Sequence, residues 1–260
     1  MTWIDSHCHL DHPALSKDIE AVIKCCKENS IEGVVVPSIC PSNINDVIKL
    51  SDQFDICFFA LGFHPFYAKD VRQQDFKNLS NLLSDYDAVA VGEIGLDKSL
   101  PDCEFDIQNK VFQTQLDIAE GMELPVIVHS RGMIDLVIKQ LRKRKIKGGI
   151  IHAFNGSFQQ AEYLINLGFK LGFGGVITYE RATHIRALAK NLPLDTIVLE
   201  TDSPDMRPAW VENNVPNEPG HLKKISQVLC DLRGLDIEEL AKIIKRNTIE
   251  VLPKLSKLCT

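Results

Sequence analysis

The sequence predicts an α/β fold, with eight parallel strands closed into a (β/α)8 barrel, and two observations carry that expectation. Short apolar runs recur at helix-plus-strand intervals, and stretches with the 3.6-residue periodicity of amphipathic helices lie between them. Strands that are apolar along their length belong in a parallel sheet covered on its outer side. Eight such units close most simply into a barrel, with a doubly wound open sheet as the alternative. The chain has 260 residues, 45% hydrophobic and 25% charged, which suffices for one large core. No Pro/Gly/Ser-rich linker or short repeat divides it, so residues 1–260 are read as a single domain.

The first strand run is WIDSHCH, from Trp3. In an extended chain Asp5, His7 and His9 share one face while Ser6 and Cys8 take the other. The following runs are GVVVPS from Gly33, CFFALGFHP from Cys57, AVAVGEIGLD from Ala88 and PVIVHSR from Pro125. GGIIHAF from Gly148, FKLGFGGVIT from Phe169 and TIVLETDSP from Thr196 complete the eight. Among the intervening helices, FDIQNKVFQTQLDIAEGM carries a stripe of Ile107, Val111, Leu116, Ile118 and Ala119. Beyond Pro219, two helices should close the end of the barrel wall, the second with Asp236 as N-cap and Glu239 completing a capping box.

In such a barrel the chemistry collects at the C-terminal ends of the strands. His7 and His9 end the first run, His64 the third, His129 the fifth and His152 the sixth. Glu93 and Asp97 close the fourth, and Glu200 and Asp202 the eighth. Taken singly, each is a capped edge residue or the start of a turn. Taken together they bring imidazoles and carboxylates from six runs to one end, where unneutralised acids would cost several kcal/mol, approximately. A divalent metal answers that cost. Imidazole suits Zn, Ni or Fe and carboxylate suits Mg or Mn, so the mixed set does not choose among Zn, Mn, Mg and Ni.

DSHCHLD, GFHP, GEIGLD, PVIVHSR, IHAFNGS and LETDSP, in that order, resemble the TatD family of metal-dependent hydrolases, barrels of the amidohydrolase-like type. GGVITYERA and LETDSPDM place the resemblance nearest its YjjV-like branch. The resemblance implies that His7, His9 and Asp202 hold one metal, that His129 and His152 hold a second, and that Glu93 bridges them. A carboxylate can span a pair of ions roughly 3.5 to 4 Å apart, and such a pair clamps the oxygens of a phosphoryl displacement. The expected activity is a TatD-like deoxyribonuclease cleaving phosphodiester bonds by a metal-activated water. Glu93 and Asp202 are its catalytic residues, Asp202 orienting the water or taking its proton. The alternatives are a metal-dependent esterase or amidohydrolase, such as an aminoacyl-tRNA deacylase, and a non-catalytic barrel whose ligand cluster only stabilises the fold. The expected partner is DNA or a small phosphodiester, with no obligate protein partner evident.

His64 and Arg131 are candidates for the substrate phosphate, since each ends a strand and an arginine fork matches phosphate oxygens. The family also places a substrate-contacting histidine at His64, whereas Arg131 reads equally as a salt bridge on the rim. Asn217, in PNEPGHL, is either a helix cap or, by resemblance, a residue near substrate. The chain departs from the family after GLD, where Lys98 and Ser99 replace a frequent aromatic pair that would serve as a base-stacking platform. Phe66 stands where relatives often carry another histidine. The glycines of GFGGVIT serve a phosphate cradle or, more simply, a turn.

A formal net charge of −6 argues against a broad grip on DNA phosphates. The basic run KQLRKRKIK, Lys139 to Lys147, falls between a helix and a strand at the end of the barrel away from the metals and is read as a solvated face. The start lacks a basic n-region and no apolar run approaches about 18 residues, so a cytoplasmic protein without a membrane span is expected. The eight cysteines are scattered without C-x-x-C spacing and read as reduced thiols.

Overall fold

The computed structural model describes residues 1–259. Eight parallel strands follow one another around a single sheet in chain order. They are β1 (Trp3–Asp5), β2 (Ile31–Pro37), β3 (Cys57–Leu61), β4 (Ala90–Asp97), β5 (Val126–Arg131), β6 (Gly149–Ile151), β7 (Phe169–Phe173) and β8 (Ile197–Leu199). Each overlaps one of the eight predicted runs, with β2 beginning two residues before its run. The seam between β8 and β1 has no ladder but is bridged: Ser6 N donates to Leu199 O (3.1 Å), His9 N to Ser203 O (2.8 Å) and Asp202 N to His7 O (2.9 Å). The sheet thereby forms a nearly closed barrel.

The helices are α1 (Pro13–Ser16), α2 (Ile19–Glu28), α3 (Ile44–Gln53), α4 (Gln73–Asp85), α5 (Phe105–Gly121), α6 (Ile134–Leu141), α7 (Phe158–Asn166), α8 (Thr183–Asn191), α9 (Leu222–Arg233) and α10 (Ile237–Val251). Strand alternation divides the core in two. Outward residues such as Val34, Val36, Leu61, Val128 and Leu171 pack against the helix layer with Leu79, Phe112, Leu164 and Leu188. Inward residues Ile4, Val35, Phe58, Ile127, Ile150 and Val198 form a separate cluster with Val251, Leu252 and Leu255, which stop the barrel at the N-terminal ends of its strands. We call that end the floor.

Asp236 caps α10 by accepting from Glu238 N and Glu239 N (2.8 and 3.2 Å). Both closing helices lie on the wall as predicted: α10 packs against β8, β1 and β7 with Leu240, Ala241 and Ile244 in the outer core, Asn247 Nδ2 donates to Leu194 O and Ile197 O (2.8 Å each), and its last residue, Val251, reaches the floor. The expected stripe on α5 is also corrected. Ile107 is exposed, and the buried face is Gln108, Val111, Phe112, Gln115, Leu116 and Ala119. The two glutamines break the apolar pattern because each holds a strand-end residue by both backbone groups. Gln108 accepts from Asp97 N and donates to Asp97 O, and Gln115 does the same for Phe63.

The basic run spans the last turn of α6 and the segment leading to β6, where Arg144 pairs with Asp117 (2.6 Å) and Lys147 with Glu123 (3.5 Å). Cys8, Cys25, Cys26, Cys40, Cys57 and Cys230 are free thiols; the side chains of Cys103 and Cys259 lie outside the described residues. Among the described residues, no helix is long and apolar enough to cross a membrane.

Candidate active site

β1 ends at Asp5, so the alternation expected through His9 stops four residues early. The physical reason is the seam. Asp5 is fully buried and its carboxyl accepts from His7 N (3.2 Å), Thr201 N (2.9 Å) and the Thr201 hydroxyl, which locks the start of the histidine segment to the chain leaving β8. Burial raises the Asp5 carboxyl to about 8 against these bonds. Asp5 therefore positions the two histidines rather than joining them.

His7 and His9 then meet acids from two other strands. The two Nε2 atoms are 3.2 Å apart. Glu93 Oε2, from β4, lies 3.3 Å from His7 Nε2 and 3.6 Å from His9 Nε2. Asp202 Oδ1, beyond β8, lies 3.6 Å from both. Four donors held about 2.1 Å from one ion in a tetrahedron stand about 3.4 Å from one another. These separations scatter around that value, so the set fits a divalent cation.

Glu93 turns its other oxygen toward β5. Oε1 lies 3.1 Å from His129 Nδ1, and His129 Nε2 lies 2.8 Å from Asp97 Oδ2. Asp97 also accepts from Ser99 N and Ser99 Oγ (2.7 and 2.6 Å). Burial opposes ionisation of Asp97, but His129 and Ser99 outweigh it and hold the carboxyl far below its usual range. Against burial, Asp97 and Glu93 raise the pKa of His129, and when the ring is neutral the ionised Asp97 keeps its proton on Nε2 and turns the Nδ1 lone pair toward Glu93. His152 is arranged in the opposite sense. Its Nδ1 lies 3.0 Å from Glu200 Oε1, and its Nε2 faces Asp202 Oδ2 at 3.5 Å. Glu200 is itself anchored by Ala153 N (2.6 Å). Gly172 on β7 is required there, since a Cβ would stand 2.4 Å from Glu200 Oε2. At Gly95 a Cβ would stand 1.9 Å from His129 O, so β4 and β5 can approach only without a side chain.

Electrostatics keep the acids charged. Burial would raise the Glu93 carboxyl, but His7, His64 and His129 hold it well below the usual carboxylate range. His152, His7 and His9 do the same for Asp202. Burial and the neighbouring His152 lower His7, whose ring stacks on His152 at 3.7 Å, whereas Glu200 and Asp202 overcome burial to raise His152. Asp202 has φ 54°, Ala153 46° and Met206 45°, left-handed values that cost a side-chain-bearing residue free energy. All three follow strand ends around the site.

His64 sits with Glu93 and His129 among the groups that could hold a metal, but its own bonds argue against that role. Its Nδ1 accepts from Phe66 N (3.2 Å), so the neutral ring carries its proton on Nε2, 3.6 Å from Glu93 Oε1. Burial lowers its pKa to about 4 and keeps it neutral. An N–H offers no lone pair to a metal, so His64 is a donor.

His9, His64, Glu93, Asp97, His129, His152 and Asp202 line one cavity of about 410 Å³ together with Arg131, Phe66 and Tyr67, whereas His7 and Glu200 are fully buried and do not line it. Arg131 is exposed at the end of β5. Asn217 is not in the cavity. It is fully buried, donates through Nδ2 to Thr201 O and Asp205 O (2.9 and 3.0 Å), and accepts at Oδ1 from Glu218 N and faces His221 Nδ1 (3.0 and 2.9 Å). Its polar valences are filled, so the expectation that it binds substrate is corrected: it staples the loop bearing Asp202. Neither does it cap α9, which starts five residues later. The glycines of GFGGVIT serve close packing, since a Cβ at Gly175 would stand 2.1 Å from Met206 O.

Sequence reasoning missed Gln108, Gln115 and the positioning roles of Asp5 and Glu200. An acid, Glu200, at the end of the apolar stretch in TIVLETDSP was the readable signal.

The comparisons with known proteins agree with this geometry. The profile of the family described as TatD related DNase matches residues 4–253. The uncharacterized metal-dependent hydrolase YjjV of Escherichia coli (strain K12) is 37% identical over 249 residues, covering 95% of this chain and 96% of that protein. The uncharacterized metal-dependent hydrolase YabD of Bacillus subtilis (strain 168) is 31% identical, covering 94% and 96%. The crystal structure of YjjV, a TatD homologue, superposes with a TM-score of 0.92 at 35% identity over 96% of this chain and 98% of that one. An organophosphorus hydrolase from Deinococcus radiodurans shares the fold at a TM-score of 0.67 and 11% identity, over 96% and 92%. With the profile spanning nearly the whole barrel, and histidines and acids gathered at its mouth, the chain belongs to the TatD family of metal-dependent hydrolases.

Proposed function

We propose that this hydrolase is a divalent-metal-dependent phosphodiesterase acting on DNA. The observation that carries the reading is the orientation of Glu93, with Oε2 toward His7 and His9 and Oε1 toward His129. His7, His9, Glu93 and Asp202 would hold one cation, and Glu93, His129 and His152 a second. When bound, such a pair supplies a water of lowered pKa and neutralises charge on a scissile phosphate.

The chain's own residues do the rest. Asp202, ionised and 14% exposed at its side chain, faces the cavity and accepts the proton of the attacking water. His64 donates its Nε2 proton to a phosphate oxygen, and the Arg131 fork binds a second. Asp97 and Glu200 fix the rings of His129 and His152, which holds the ligands in one geometry. Phe66 (45% exposed) and Tyr67 (37%) present aromatic surface to the same cavity. They offer a base a stacking surface from the loop after β3 in place of the aromatic pair absent at Lys98 and Ser99.

The test is a side-by-side assay of protein purified without chelator and reconstituted with Zn, Mn, Mg or Ni. Its substrates are end-labelled single-stranded DNA, a simple phosphodiester and an aminoacyl ester. Metal-dependent release of nucleotides from DNA is expected. Turnover confined to the aminoacyl ester would overturn the reading.

A further inference from the structure

A second cleft, of about 430 Å³, opens beside the metal-ligand cavity between the segment after β7 and the segment after β8. Tyr179, Arg181, Met206 and Arg207 line it, and Pro204 and Asp205 line both cavities as a shared lip. Its walls are rigid. Thr178 Oγ1 donates to Gly175 O (2.6 Å) and accepts from Ala209 N (2.7 Å), so a single hydroxyl ties the two segments together. Arg186 Nη1 donates to Ile177 O (2.7 Å) from behind.

The two arginines are spare cations in a chain of net negative charge. Among the described residues, the arginines paired with acids are Arg144 and Arg246, not Arg181 or Arg207. Arg207 spends one N–H on Asn213 O, which fixes the guanidinium and leaves its other donors. Arg181 is exposed, its guanidinium 5.1 Å above the Tyr179 ring. α8 starts at this cleft with no side-chain cap at Ala182, so the positive end of its dipole adds to the same field. The exposed acids nearby are Glu180, Glu212 beside the Asn213 that Arg207 contacts, and, on the lip, Asp205. An anion does not sit well on that lip, whereas the uncharged sugar that separates two phosphates does. The arrangement therefore suits a chain whose anionic groups are separated by neutral spacers: one phosphate among the metal ligands, a sugar across Pro204 and Asp205, the next phosphate between the arginines.

We propose that this cleft is a second nucleotide subsite, in which Arg181 and Arg207 hold the phosphodiester adjoining the one to be cut and Tyr179 stacks on its base. The inference rests on the phosphodiesterase reading, so its test separates the two. Binding is read by fluorescence anisotropy of a hydrolysis-resistant phosphorothioate oligothymidylate on the metal-loaded protein. Arg181→Gln combined with Arg207→Gln should weaken binding about tenfold and reduce the salt slope by about 0.7 per phosphate lost. The ratio of oligonucleotide to bis(p-nitrophenyl) phosphate kcat/KM should fall about tenfold as well. Tyr179→Ala should weaken binding about fivefold or more without changing the salt slope. Unchanged affinity and slope in the arginine double variant, or in Arg181→Gln alone if the double variant fails to fold, would overturn the subsite. A wild-type protein that binds the oligonucleotide through these arginines but cleaves neither substrate with any metal would keep the subsite and sink the phosphodiesterase reading.

Discussion

The mouth and the floor of this barrel are built from the same eight strands on opposite principles. At the mouth, five imidazoles and two carboxylates converge, acids stay ionised despite burial, and Ala153, Asp202 and Met206 sit in left-handed backbone. At the floor, Val251, Leu252 and Leu255 fill the barrel end, Asn247 is satisfied by two carbonyls, and Lys254 pairs with Asp87 (3.0 Å) at the rim. One end concentrates unfavourable electrostatics that a ligand relieves; the other supplies the apolar burial that tolerates them. Function and stability are thus separated along the strand direction, and substitutions at the two ends should fail differently.

The largest effect belongs to the mouth. Glu93→Gln should lower kcat/KM by about 10³-fold and reduce bound metal measured by elemental analysis, with little loss of thermal stability. A stability loss with no activity to lose would instead make the cluster a structural site. At the floor, Leu252→Ala should cost about 2–5 kcal/mol in urea unfolding while activity per folded molecule is retained. Collapse of that activity would break the division between the two ends.

Subtler variants sharpen it. Asp97→Asn should weaken metal affinity about 10- to 100-fold in a chelator competition, because His129 loses the acid that sets its tautomer. His64→Phe should raise KM for a phosphodiester about tenfold with metal content unchanged; a fall in metal content would make His64 a ligand after all. The smallest effect is chemical. Burial pushes the Cys57 thiol up to about 12, so it stays protonated at pH 8 and should resist thiol reagents until the protein unfolds.

Much of the mouth was legible beforehand because each candidate metal ligand closes an apolar run, and strand ends in a barrel share one side. His7, His9, Glu93, His129, His152 and Asp202 all arrive there. The details that failed share a cause. The alternation of Asp5 with the histidines assumed a strand that continued, but the seam with Thr201 ends it. Asn217 looked like a cap or a substrate contact because its partners, Thr201 and Asp205, are distant in sequence. The buried glutamines of α5 look like surface residues until the strand ends they serve are in place.

Periodicity and the position of polar residues within apolar runs, which depend only on local backbone geometry, settle the strand count, the helix layer and the end at which the chemistry gathers. Which oxygen of Glu93 faces which histidine, which nitrogen of His64 keeps its proton, and how Asn217 is consumed depend on angstrom-scale contacts between residues far apart in the chain. Those contacts exist only once the barrel has closed, so the tertiary structure alone decides them.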